Sequence, residues 1–112
     1  MEFREQRKYE RTSFSAEVAV RDLETGQTMQ GRSIDLSRSG LGFFASHFME
    51  KGTRVRVSIT FRLDGRPTVI AITGTIMRST TEGDGGVMGV QFDTVLSPLS
   101  QPRLCQLVDS RT

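Results

Sequence analysis

Hydrophobic and polar residues alternate along most of the chain between Phe14 and Phe92. Successive side chains of a β-strand point to opposite faces, so a period of two predicts strands with one face buried and the other in solvent. The pattern is clearest around residues 54–61, where arginine, serine and threonine occupy the outward positions. The inward positions of this strand are Val55, Val57, Ile59 and Phe61.

The same alternation predicts further strands on both sides of this one. An early strand has four inward residues, which are Phe14, Ala16, Val18 and Val20. In the next strand, over residues 29–36, we expect Ile34 and Leu36 to face inward. Its expected solvent-facing residues are Ser33, Asp35 and Ser37. The remaining predicted strands are Leu41–Phe43, Thr68–Arg78 and Val87–Phe92.

Turn residues separate these strands. The predicted turns are Glu24–Gln27, Ser37–Gly40, Asp64-Gly65 and Gly83–Gly86, and Asp-Gly is a strong hairpin signal. About six strands joined by short turns within about 80 residues favour a closed barrel, because closure leaves no unpaired strand edge. The sequence therefore predicts an all-β fold, a six-stranded antiparallel β-barrel.

The two ends of the chain differ from this central part. Residues 1–12 are highly charged and have little to bury, so we expect an N-terminal arm that is mobile without a ligand. Residues 96–112 lose the period of two, and their prolines and apolar residues predict a short C-terminal helix and tail. The predicted organisation is an arm over 1–12, a barrel over 13–95 and a helix with a tail over 96–112.

Composition excludes several classes of protein. No apolar run approaches the length of about 18 residues that a membrane span needs, and no signal peptide is evident at the N-terminus. Cys105 is the only cysteine, which excludes an internal disulfide and favours a cytoplasmic setting. The single histidine, His47, has no partners for catalysis, and no cluster has the spacing of metal ligands. We therefore expect neither an enzyme nor a metal site.

Two short elements carry candidate binding chemistry. Arg7 and Arg11 lie four residues apart in the arm, and Asp35, Ser37 and Gly40 follow the end of a predicted strand. A carboxylate accepts hydrogen bonds from the N1–H and N2–H₂ donors of guanine, whereas arginine reads the O6/N7 edge, stacks on the ring or holds phosphate. Gly40 lets the backbone turn or approach a ligand closely. Together these residues predict a guanine-nucleotide site that the arm completes.

The specificity of the two elements differs. The net charge is only +2, but every basic residue except Lys8 and Lys51 is an arginine, so Arg-x-x-x-Arg arises about once or twice by chance. A second match, from Arg62 to Arg66, spans a predicted turn. The Asp-x-Ser-x-x-Gly element is rarer, with roughly 0.06 chance matches expected. The order and setting of the two elements therefore carry the prediction.

In these features the sequence resembles the PilZ domain family of bacterial cyclic di-GMP receptors, over nearly the whole chain. The resemblance rests on Arg7-x-x-x-Arg11, on Asp35-x-Ser37-x-x-Gly40 followed by Leu41-Gly42-Phe43, and on the late strands with Gly74-Thr75-Ile76 and Gly89-Val90-Gln91-Phe92. It implies a receptor without enzymatic activity whose ligand is cyclic di-GMP and which needs no cofactor. It also implies a downstream protein partner or an attached effector domain.

The resemblance further implies a role for each motif residue. Arg7 and Arg11 would grip phosphate and guanine, Asp35 would take a guanine edge, and Ser37 would contact guanine or phosphate. Gly40 would keep the loop close to the ligand, and the arm would become ordered over it. Arg4, Arg38 and Arg78 are additional candidates for ligand contacts, Arg78 as a stacking plane where family members often have an aromatic residue. Gln6, just before the arginine pair, leaves open whether one ligand or an intercalated pair binds.

Two alternatives stay open on the sequence. One is a PilZ-like adaptor that binds a protein and no nucleotide. The other is a barrel that binds single-stranded nucleic acid, for which Arg54, Arg56 and Arg62 would supply a basic strand face. Such barrels need aromatic residues on that face. Most phenylalanines here are expected to point inward, so we do not expect nucleic acid to be the partner.

Overall fold

The computed structural model describes residues 12–95, which form seven β-strands. The strands are β1 (Thr12–Ser13), β2 (Glu17–Asp22), β3 (Thr28–Leu36), β4 (Gly40–Ala45), β5 (Arg54–Leu63), β6 (Arg66–Glu82) and β7 (Gly85–Phe92). The predicted N-terminal arm, apart from its last residue, and the predicted C-terminal helix with Cys105 lie outside the described residues.

Six of the strands close into an antiparallel barrel. The order around the sheet is β3-β2-β5-β6-β7-β4, and β4 pairs again with β3 to complete the ring. The two-residue β1 pairs with the end of β3, beyond the residues of β3 that pair with β2. Closure confirms the fold predicted from the sequence.

The inward positions of the alternating pattern form the core. Val55, Val57 and Ile59 of β5 are fully buried, whereas Arg54 and Arg56, which alternate with the valines, are exposed. The four phenylalanines predicted to face inward are also buried, namely Phe14, Phe43, Phe61 and Phe92. Each such aliphatic or aromatic side chain stabilises the fold by about 1.5–3 kcal/mol when buried. Burial of one face of every strand therefore supplies the main driving force for closing the ring.

The predicted hairpins form where the backbone can turn. Asp64 and Gly65 both have positive φ angles, of 53° and 77°, which suits a two-residue turn between β5 and β6. Asp22 at the end of β2 accepts hydrogen bonds through Oδ1 from the amides of Glu24 and Thr25, which fixes the β2–β3 turn. Several boundaries differ from the prediction, and the largest difference is in β6. This strand continues past Arg78 to Glu82, so Arg78 lies within the strand and not at its end.

The prediction for the end of β3 is wrong at Ser33 and Ile34. Ser33 pairs with Phe43 and Asp35 pairs with Gly42, so Ile34 is an extra residue in β3, a β-bulge. The bulge turns Ser33 into the core, where it is 3% exposed, and leaves Ile34 44% exposed. A strict period of two cannot predict this, because one inserted residue exchanges the inward and outward positions on the N-terminal side of the bulge.

Hydrogen bonds compensate for the burial of the Ser33 hydroxyl. Its Oγ accepts from the Ala16 amide at 2.7 Å and donates to the Phe14 carbonyl oxygen at 2.7 Å. A buried hydroxyl without partners would be costly, so the bulge and these two contacts depend on each other. After the bulge Leu36 faces inward again and Asp35 faces outward.

Candidate ligand-binding site

Asp35 lies on the outer wall of the barrel, directly beside Gly42 of β4. Its side chain is half-buried, and its Oδ1 accepts a hydrogen bond from the Gly42 amide at 3.1 Å. A carboxylate held by a backbone N–H has a fixed orientation. Asp35 is therefore oriented by the strand next to its own.

Ser37 begins the loop from β3 to β4 and lies in a different environment. It is 1% exposed, so the expectation that it shares a solvent face with Asp35 is wrong. The chain turns directly after Leu36, and the Ser37 amide donates to the Gly40 carbonyl oxygen at 2.9 Å. Its hydroxyl oxygen accepts from the Ser39 amide at 3.2 Å. Ser37 therefore defines the shape of this loop.

Gly40 ends the loop against β7. It pairs with Gln91, and a Cβ at this position would collide with the carbonyl oxygen of Val90. One residue before Gly40, the Ser39 carbonyl oxygen accepts a hydrogen bond from the Phe92 amide at 2.8 Å. The Asp-x-Ser-x-x-Gly segment is thus bound to the last residues of β7 at two points.

Arg78 approaches the same wall from β6. It pairs with Gly89 of β7, next to a second bulge at Met77, and its side chain is exposed. Its Nε lies 3.1 Å from where a Cβ on Gly89 would be. Since Gly89 pairs with Gly42, the two candidates Asp35 and Arg78 occupy the ends of one cross-strand row.

The two glycines in the middle of this row were not singled out as site residues by the sequence reasoning. Both Gly42 and Gly89 stand at outward positions of strands, where a glycine weakens pairing and often marks a close approach. A glycine at an outward position of a predicted strand was therefore the sequence feature that could have identified these two residues. A groove of about 210 Å³ beside Gly89 connects the loop to β6, and it is lined by Ser39, Met77, Arg78, Gly89, Val90 and Gln91.

Four further candidates complete the set of predicted site residues. Arg4, Arg7 and Arg11 are outside the described residues. Arg38 is half-buried within the β3–β4 loop. The described structure therefore brings together Asp35, Ser37, Gly40 and Arg78 around the end of β3 and the middle of β7, with Arg38 in the connecting loop.

The basic strand face considered for nucleic acid is partly neutralised. Arg54 forms a two-bond ion pair with Asp93, with nitrogen–oxygen distances of 2.6 and 2.9 Å. The hydrogen bonds that Arg54 and Thr73 donate lower the pKa of Asp93 to about 2. Arg62 is also engaged, donating to the Gly65 carbonyl oxygen at 2.8 Å.

The remaining features of the described structure concern metal binding, the single histidine and a second cavity. In residues 12–95 no group of three or more histidine, cysteine, aspartate or glutamate side chains is placed to hold a metal ion. Exposed His47 contacts Ser46 through Nδ1. A larger cavity of about 640 Å³ lies where β3 begins, at the opposite end from the motif loop, and contains none of the motif residues. The described part of the chain also contains no helix with the length and hydropathy to cross a bilayer.

Solved structures share this fold. The Bacillus subtilis inhibitor of motility, MotI/DgrA, superposes with a TM-score of 0.72 at 16% identity, covering 93% of this chain and 50% of its own. The PilZ domain of YcgR from Escherichia coli with c-di-GMP superposes with a TM-score of 0.71 at 18% identity, covering 95% of this chain and 91% of that domain. This chain spans 45% of the longer YcgR chain in complex with c-di-GMP, with 19% identity and a TM-score of 0.70.

Sequence comparison identifies the family. No curated protein sequence matches the chain significantly. The family model of the PilZ domain matches residues 5–110, which is nearly the whole length and includes both motifs. The chain therefore belongs to the PilZ domain family.

Proposed function

We propose that this chain is a cyclic di-GMP receptor domain. The observation that carries the proposal is the row on the outer wall that joins Asp35 to Arg78, next to the Ser37–Gly40 loop, in a member of the PilZ family. A fixed carboxylate and a planar cation on one surface suit a guanine base. The c-di-GMP complexes of YcgR, which share the fold, support the same ligand.

Each motif residue has a distinct role in the proposal. Asp35 accepts hydrogen bonds from the N1–H and N2–H₂ groups of guanine. Arg7 and Arg11 hold phosphate and the O6/N7 edge, and one of the two guanidinium groups stacks on a base. Ser37 and Gly40 hold the loop in the shape that leaves room for the ligand. Buried Ser37 acts mainly through the loop, a change from the contact expected from the sequence.

The proposed mechanism is the ordering of the N-terminal arm. When Arg7 and Arg11 bind a ligand that also contacts Asp35, the arm is fixed against the barrel, and a partner recognises that state. NMR relaxation of the arm amides tests this step. We expect the amides of residues 5–11 to lose fast motion at saturating cyclic di-GMP, and unchanged relaxation would refute the switch.

Calorimetric titration with cyclic di-GMP tests the binding function and gives the stoichiometry. Replacement of Arg11 by alanine should abolish measurable binding or weaken it at least about tenfold, as expected for a lost charge-assisted contact. The chain offers a matched control in Arg62→Ala, because Arg62 starts the second Arg-x-x-x-Arg match at the β5–β6 turn. Wild-type affinity in Arg11→Ala, or an equal loss in Arg62→Ala, would refute the assignment of the arm.

The competing functions make different predictions. Single-stranded nucleic acid would need aromatic platforms beside the basic residues of β5, but Phe61 of that strand is buried and Arg54 is paired with Asp93. Filter binding with single-stranded DNA should therefore show no retention at physiological salt. An adaptor that binds no nucleotide would give no calorimetric signal with cyclic di-GMP.

The wider setting belongs to the same proposal. PilZ domains are binding domains, and we expect this one to have no catalytic activity of its own. This chain spans 50% of MotI and 45% of the longer YcgR chain, so both of those proteins contain a further region. In the proposal, an attached effector domain or a separate protein partner recognises the ligand-bound state of this domain. We expect a cytoplasmic location and a role in controlling motility or biofilm formation.

A further inference from the structure

Apart from Gly86, the glycines within the barrel strands fall into two groups according to what a side chain would meet. At four positions a Cβ would collide with backbone oxygen of a neighbouring strand, so the packing of the barrel requires glycine. These four positions are Gly31, Gly40, Gly74 and Gly85. At Gly42 and Gly89 the atoms nearest to a Cβ belong only to the side chains of Asp35 and Arg78. The barrel itself therefore does not require glycine at these two positions.

The space beside Gly42 is occupied by the Asp35 carboxylate. A Cβ at Gly42 would lie 2.7 Å from Asp35 Oδ1 and 3.3 Å from its Cγ. Real Cβ atoms do not approach oxygen this closely, so a side chain here would displace the carboxylate. Displacement would also strain the 3.1 Å hydrogen bond from the Gly42 amide to Oδ1. Gly42 thus both makes room for the carboxylate and orients it.

The space beside Gly89 is occupied by the Arg78 guanidinium. A Cβ at Gly89 would lie 3.1 Å from Nε and 3.2 Å from Nη2. The long arginine side chain can move more easily than the short aspartate, so the effect of a Cβ should be smaller here. In the native chain the guanidinium of the exposed Arg78 therefore lies over Gly89 on the wall of the barrel.

The two spaces are neighbours, because Gly42 and Gly89 are direct cross-strand partners. Side chains at such positions have Cβ atoms about 4.5–5.5 Å apart, which places Asp35 Oδ1 and Arg78 Nε at most about 11 Å apart. This span is within the reach of one purine, which is about 5 Å wide and is extended by hydrogen bonds of about 2.9 Å at its edges. An acceptor and a planar donor therefore lie on the same wall within reach of one ligand.

We infer that Gly42 and Gly89 are positioning residues of the ligand site, which hold the Asp35 carboxylate and the Arg78 guanidinium flat against the barrel wall so that both address one purine. This inference rests on the proposed function and adds two residues outside the Asp-x-Ser-x-x-Gly and Arg-x-x-x-Arg elements. It also gives Arg78 a defined place at the far end of the site from Asp35.

Alanine substitutions test the inference by calorimetry with cyclic di-GMP. Gly42→Ala should weaken binding at least about tenfold, as expected if an oriented carboxylate is displaced. Gly89→Ala should give a smaller loss, below about tenfold. The matched control is Gly86→Ala in β7, where the nearest neighbours of a Cβ are 3.4–3.5 Å away, an ordinary contact distance. Its affinity should equal that of the wild type.

A double-mutant cycle separates positioning from a general structural effect. If Gly42 acts through Asp35, the double variant with Asp35→Ala and Gly42→Ala should bind cyclic di-GMP no more weakly than the single variant Asp35→Ala. The same relation should hold for Gly89→Ala in an Arg78→Ala background, which keeps the test decisive if Gly42→Ala does not fold. Thermal melts report folding of each variant.

Three outcomes would overturn the inference. Wild-type affinity in both Gly42→Ala and Gly89→Ala would refute it while the receptor function stands. Losses that persist undiminished in the Asp35→Ala and Arg78→Ala backgrounds would show that the glycines act on the fold. No binding by the wild type would refute the proposed function and this inference with it.

Discussion

Removal of the Asp35 carboxylate gives the sharpest prediction about binding. Asp35→Ala deletes the group whose Oδ1 is held by the Gly42 amide at 3.1 Å, and it leaves the core untouched because Asp35 points outward. The proposed guanine contact consists of charge-assisted hydrogen bonds, each of which contributes about 1.5–3 kcal/mol. We therefore expect the dissociation constant for cyclic di-GMP to rise by at least the 10- to 150-fold that corresponds to the loss of about one such bond.

The cost to stability should be much smaller. The variant loses the partly exposed hydrogen bond from the Gly42 amide, which contributes about 1 kcal/mol, and water can replace the acceptor at that amide. For a domain of this size that corresponds to a fall in melting temperature of about 4–8 °C. The barrel should remain folded at the temperature of the binding assay.

Calorimetry on Asp35→Ala, with thermal unfolding followed by circular dichroism, measures both quantities. Asp84→Ala is a suitable control, since Asp84 is an exposed residue in the β6–β7 turn and away from the motif loop. The control should bind as the wild type does. Affinity of Asp35→Ala within twofold of the wild type would refute the reasoning, as would an equal loss in Asp84→Ala.

Three further predictions concern the loop, the bulge and the ion pair. Ser37→Ala should weaken cyclic di-GMP binding several-fold by loosening the loop, and unchanged calorimetry would contradict that role. Ser33→Ala should lower the free energy of unfolding by about 1–3 kcal/mol, because the amide of Ala16 loses its buried acceptor. Urea denaturation measures this change, and an unchanged free energy of unfolding would refute the role of the hydroxyl. The pKa of Asp93 is lowered in the folded state, so its pairing with Arg54 stabilises the barrel above the ordinary pKa of 3.8 and is lost as the pH falls from there towards 2. Asp93→Asn should remove this part of the acid sensitivity in melts between pH 2 and 5, and an unchanged pH dependence would exclude the ion pair as its source.

Much of the barrel was predictable because most strands keep a strict period of two. The inward valines and isoleucine of β5, the Asp64-Gly65 turn and the buried phenylalanines all follow from local patterns. The bulge at Ile34 was not predictable in this way. Its presence depends on pairing with β4 and on the contacts of Ser33 with Phe14 and Ala16, which lie far away in sequence.

The candidate site was only partly predictable for the same reason. The motif identified Asp35, Ser37 and Gly40, but it did not reveal that Ser37 is buried within its loop. The row from Asp35 to Arg78 crosses four strands, and only the sheet register brings its members together. Gly42 and Gly89 carried a weak sequence signal, which acquired meaning once their neighbours were known.

Parallel titration of the wild-type chain with cyclic di-GMP and cyclic di-AMP tests the central claim most directly. Adenine lacks the N1–H and N2–H₂ groups that are proposed to donate hydrogen bonds to Asp35. Its N1 is itself an acceptor and would face the carboxylate without a hydrogen bond. The proposed site therefore predicts saturable binding of cyclic di-GMP and no comparable binding of cyclic di-AMP. Absence of cyclic di-GMP binding, or equal binding of the two dinucleotides, would contradict it.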